Sequence, residues 1–145
     1  MAVLAIELVC KGRPRVKDLA LSAIYTNTSR QPLALAFWWN RSMRIVDSQG
    51  ALVTPGPGPV LPCGVAERWQ VLMPGHKYQR SEPLSCTQPA GNAAAIGWAY
   101  KLTPGTYSIT IVFEAPPAHG FSQSETNEHA FSGRVESREL AVELT

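Results

Sequence analysis

The sequence predicts an all-β fold in which two antiparallel sheets pack face to face as a sandwich. Three observations point there. Apolar and polar residues alternate with period two in segment after segment, Pro and Gly are scattered as turn punctuation, and no stretch of ten or more residues shows a 3.6-residue apolar period. Strands with one apolar and one polar face belong to antiparallel sheets with one side dry and the other wet, and two such sheets bury every stripe at once.

The stripes run the length of the chain. Leu4, Ile6, Leu8 and Cys10 share one face of the first segment, and Leu19, Leu21, Ala23 and Tyr25 one face of the second. Leu33, Leu35, Phe37 and Trp39 follow, then Trp69, Val71 and Met73, then Ile96, Trp98, Tyr100 and Leu102. The clearest stripe is Tyr107, Ile109, Ile111 and Phe113, and Leu140, Val142 and Leu144 form the last. A chain of 145 residues suits one domain with a sizeable core.

Turn chemistry separates these segments. Residues 27–32 (NTSRQP) link the second and third, and Asp47-Ser48-Gln49-Gly50 is a tight reversal. Met73-Pro74-Gly75 and Thr103-Pro104-Gly105 read as a pair of type II turns, Pro setting the first central residue and Gly the second. Two longer stretches are irregular. Residues 54–64 hold four prolines and three glycines, which predicts a polyproline-like surface loop without a regular ladder, and residues 114–130 are polar and turn-rich. Loops of this length in a compact domain are usually functional or disordered.

Composition removes several classes. A net charge of +2, with basic residues dispersed, makes no electrostatic footprint for nucleic acid. The apolar N-terminal segment lacks a basic region, contains Glu7 and is too short to span a membrane, so no membrane-spanning segment is expected. As written the chain reads as cytoplasmic, and as exported if a signal peptide has been removed. Cys10, Cys63 and Cys86 have no zinc or redox spacing and read as free thiols, with a Cys63–Cys86 bridge conceivable only after export. The sequons at Asn27 and Asn40 matter only in a secreted eukaryotic protein.

Catalysis finds little support. There is no G-x-S-x-G elbow and no Gly-rich phosphate cradle, and His76 sits in a Pro-Gly turn where a solvated polar residue is ordinary. His119 and His129, with Glu125 and Glu128 between them, offer metal-binding side chains, but the spacing fits no rigid motif and the entropy of assembling them is unfavourable. The expectation is a non-enzyme without cofactor or metal. Its binding candidates are Trp38, then Pro57 and Pro59 in the first loop, and His119, Phe121 and His129 in the second. Trp38 and Trp39 point to opposite faces, so an inward Trp39 turns Trp38 outward over Ala34 and Ala36, as a platform for a protein or a sugar ring. The opposing reading lays a loop such as 54–64 across it.

The order of these features resembles a known family. Tyr25-Thr26-Asn27-Thr28-Ser29 after a strand, Asp47-Ser48-Gln49-Gly50 in the middle and Pro104-Gly105-Thr106-Tyr107 before a late strand are similar to immunoglobulin-like bacterial domains related to the intracellular proteinase inhibitor of bacilli. The resemblance runs over residues 19–113; the Pro-rich stretch and residues 114–137 depart from the pattern. It implies an immunoglobulin-like antiparallel β-sandwich of about seven to nine strands. For function it implies a protein-binding module acting as a protease inhibitor, and it carries over no reactive residue. The alternative is a carbohydrate-binding or cell-surface accessory domain using Trp38.

Overall fold

The computed structural model describes residues 3–35, 41–54, 56–57, 70–81, 98–100, 102–115 and 129–145. In chain order its strands are β1 (Leu4–Val9), β2 (Ser22–Asn27), β3 (Leu33–Leu35), β4 (Arg41–Asp47), β5 (Leu52–Val53), β6 (Gly56–Pro57), β7 (Gln70–Leu72), β8 (Lys77–Ser81), β9 (Trp98–Ala99), β10 (Gly105–Ala115), β11 (Gly133–Glu136) and β12 (Leu140–Leu144). A single 3-10 turn, Val16–Asp18, interrupts this all-β architecture among the described residues. No described helix is long and apolar enough to cross a membrane.

Two sheets form the layers. One has the order β1-β2-β8; the other has the order β11-β10-β4-β5, with β12 also on β10, and every pairing in both is antiparallel. Their inner faces meet where the Tyr25 ring of β2 stands edge-on to Phe113 of β10, centroids 5.9 Å apart, and Phe113 in turn packs on Phe131 at 5.7 Å. Tyr25, Phe113, Leu4, Leu35, Ile45, Ile109 and Ile111 are fully buried in the one core cluster. Each such side chain contributes on the order of 1.5–3 kcal/mol by leaving water.

The stripes predicted for β1, β2, β10 and β12 all face that core. On its other face β10 also buries Thr110 and Val112, each 3% exposed, midway between flanking strands β4 on one side and β11 with β12 on the other. Those two strands are one edge broken by a bulge. Between Ile109↔Leu140 and Val112↔Glu136 the edge holds one residue more than β10, and Ser137 fills the gap, its hydroxyl accepting the Ile111 N–H at 3.0 Å and its N–H donating to the Ile111 carbonyl at 2.9 Å.

Three expectations change. β7 has the opposite phase to the one read from Trp69, Val71 and Met73: Leu72 is buried, while Val71 and Met73 are 50% and 48% exposed. Each phase of that segment carries an apolar residue, Leu72 in one and Val71 in the other, and pairing of Leu72 with the buried Leu33 of β3 goes with the inner face. Residues 54–64 do contribute to a ladder, since Gly56 and Pro57 pair with Ala99 and Trp98. Two residues at an open edge tolerate the donor that Pro lacks. The Pro-Gly turns also differ from one another. Gly75 has φ +80 and the His76 N–H closes on the Met73 carbonyl at 2.9 Å, as a type II turn requires. Gly105 instead has φ +151 and opens β10.

At that second site the closing contact is a side chain. The Tyr107 hydroxyl donates to the Thr103 carbonyl at 2.9 Å and accepts the Thr103 N–H at 3.2 Å, a tyrosine corner of the kind that immunoglobulin-like sandwiches carry. Asp47-Ser48-Gln49-Gly50 is the predicted reversal, its Asp47 carboxylate accepting the N–H groups of Gln49 and Ala51 at 2.9 Å. On the solvent face of β4, β10 and β11, Glu136 bonds Arg44 at 2.8 Å and Arg134 at 3.4 Å, and Arg134 reaches Glu114 at 3.6 Å.

Tyr107→Phe keeps the buried ring and loses the corner, so urea denaturation should show a loss of about 1 kcal/mol. Bonds from Arg44, then Arg134, hold the Glu136 carboxyl below its ordinary value of 4.5. A carboxyl depressed in the folded state stabilises above its unfolded value, and that contribution disappears as pH falls through the folded one. Carbon-detected NMR titration should place the Glu136 midpoint below 4.5 and show it rising in Arg44→Ala.

Candidate functional site

The best-defined surface feature lies at the end of the sandwich where β2 gives way to β3. Its organiser is Asn27, a polar residue with no exposed surface. Its amide donates to the carbonyls of Gln31 and Leu72, both at 2.8 Å, while Oδ1 accepts the Ser29 N–H at 2.9 Å and the Ser29 hydroxyl at 2.7 Å. Its main chain takes part as well: the Asn27 N–H donates to the His76 carbonyl at 3.1 Å, and the Gly75 N–H to the Asn27 carbonyl at 2.9 Å. One residue thereby ties the turn 28–32, the Pro-Gly turn 73–76 and the end of β7 together. Every side-chain donor is used, which is the condition for burying an amide without penalty.

The N-terminal arm joins through the Thr28 N–H, which donates to the Val3 carbonyl at 2.9 Å. The far end of the second long loop joins from the other side. The Ala34 N–H donates to the His129 carbonyl and the Phe131 N–H to the Ala34 carbonyl, both at 2.9 Å, so Ala130 bridges Ala34 in parallel. Phe131 is buried against Phe113 and anchors that end in the core. Val3, residues 29–33, His129 and Ala130 thus enclose an open depression of about 430 Å³.

Its described lining is polar and basic along one side and apolar at Val3, Pro32 and Leu33. Arg30 is exposed, His129 is half-buried, and no carboxylate among the described residues lines the depression. Ser29, the one hydroxyl among its described residues, is committed to Asn27 and so is not poised as a nucleophile. Cys10 is a free thiol whose pKa burial pushes up, opposite to what a reactive thiolate needs. Among the described residues no three His, Cys, Asp or Glu side chains converge on a metal position.

Of the candidates named from the sequence, His129 is in this depression and Pro57 is in β6, opposite Trp98. Trp38, Pro59, His119 and Phe121 lie outside the described residues, as do Cys63 and Cys86. Ala34, expected as part of an open floor beneath Trp38, is fully buried between β7 and the 129–131 segment. Arg30 and Val3 were not singled out by sequence; the signal for Arg30 was its place in the turn NTSRQP, read there only as a reversal. The Asn27 sequon is closed to modification in the folded chain, since both amide hydrogens are buried in hydrogen bonds. The fold and site together define an all-β sandwich domain with a preformed polar depression at one end. No protein-family model matches the chain, and no curated protein sequence is significantly similar to it.

Asn27→Ala removes four side-chain hydrogen bonds and leaves the Leu72 carbonyl buried without its donor. Urea denaturation should show a loss of about 3 kcal/mol, whereas Ser29→Ala, at the rim, should lose about 1 kcal/mol.

Proposed function

We propose that this domain is a non-catalytic protein-binding module that meets its partner through the depression formed by Val3, residues 29–33, His129 and Ala130, with a protease as the partner class. The observation that carries the reading is the rigidity of that surface. A turn bearing an exposed Arg30 is backed by a fully buried, fully bonded Asn27, so little ordering entropy remains to be lost on binding. Rigid loops on a sandwich end are a common way for such folds to present recognition residues. The resemblance of the turn motifs to bacterial proteinase-inhibitor domains supports the protease as partner.

Titration of the purified chain against serine, cysteine and metalloproteases is the direct test. Inhibition of one class at micromolar concentration is expected, weakened at least tenfold by Arg30→Glu and unchanged by Glu143→Gln at the opposite end of the sandwich. No inhibition of any class would remove the inhibitor reading. Equal effects of the two substitutions would move the contact surface away from this depression.

A further inference from the structure

β1 ends its sheet, pairing with β2 on one side and with no described strand on the other. Its register shows which peptide groups are left over. Because Val3 bonds Thr28 across the pair, the antiparallel alternation turns the N–H and C=O groups of residues 5, 7 and 9 toward β2 and those of Leu4, Ile6 and Leu8 away from it. An open groove of about 540 Å³ lies over residues 5–8, with Ile24 and Thr26 of β2 on one side and residues 138–140 beyond the unpaired side of β1.

The other edges of these two main sheets carry devices that block strand addition. β5 has two residues, the β11–β12 edge is bulged at Ser137 and charged at Arg134 and Glu136, and β8 bears Lys77 and Arg80. β1 is longer than β5, unbulged, and carries only Glu7 as a charge. It is six residues of Leu-Ala-Ile-Glu-Leu-Val, with no Pro.

We infer that β1 pairs antiparallel with β1 of a second copy of this chain, about a two-fold axis at Ile6, joining two three-stranded sheets into one of six. The strand is self-complementary in that register. Ile6 meets Ile6 and Leu4 meets Leu8 of the other copy as hydrogen-bonded pairs, using the peptide groups left over by β2. On the solvent face Val3 meets Val9 and Ala5 meets Glu7, so apolar faces apolar and each carboxylate faces a methyl group. Shifting the axis to Glu7 sets the two carboxylates opposite each other, and shifting it to Leu4 or Leu8 shortens the overlap. The chemistry selects a copy of the chain over an unrelated strand because this one register satisfies pairing, charge and length together.

Sedimentation velocity of the full chain from about 1 µM to about 1 mM should show the mass rising from 15.8 kDa toward twice that value. Ala5 is exposed, so Ala5→Glu and Ala5→Lys both leave the core intact and test the register, with urea denaturation of each variant confirming that the chain is folded. Ala5→Glu sets two carboxylates opposite each other twice per dimer and should weaken association at least tenfold, whereas Ala5→Lys faces Glu7 and should retain it. A wild-type chain that stays at single-chain mass throughout overturns the inference. So does an Ala5→Glu variant that associates as well as Ala5→Lys.

Discussion

The end of the sandwich that carries the depression hangs on one buried amide. Asn27 closes β2, and from that single position it holds the turn into β3, the turn between β7 and β8, and the last carbonyl of β7. A buried amide is tolerated only when its bonds are complete, so the three segments are bound to one geometry or lose it together. The depression over residues 29–33 inherits its shape from that constraint, and with it the position of Arg30.

The rest of the architecture is organised around β10. It is the longest described strand, with β4 on one side and the bulged pair β11 and β12 on the other. Phe113 near its end meets Tyr25 from the opposite sheet and Phe131 from the segment that returns to β3. This triplet of rings couples the core to the end that carries the depression: the residues that hold the two sheets together also seat the chain that brings His129 beside β3.

Both features were partly legible from the residues. The stripe Tyr107, Ile109, Ile111 and Phe113 alternates against small or polar residues, so its phase had one solution. β7 offered apolar residues in both phases, and only its pairing with Leu33 and Leu35 resolved them. Asn27 looked like a turn residue and a sequon because nothing local distinguishes a solvated amide from a buried one. Tyr107 was read as a core residue, which it is, but its hydroxyl partner lies in the preceding turn and follows from the corner geometry. His129 was a candidate from its loop alone; its neighbours, Arg30 and Pro32, are about a hundred residues away in the chain.

What the sequence by itself determined is the all-β class, the antiparallel layering and the inward residues of β1, β2, β10 and β12. These follow from period-two alternation and turn chemistry, which are local properties of the chain. The tertiary structure alone decided the phase of β7, the bulge at Ser137, the open edge of β1 and the meeting of residues 29–33 with His129. Each depends on which strands lie side by side, and hydrogen-bond register between distant segments leaves no mark in the spacing of residues along either one.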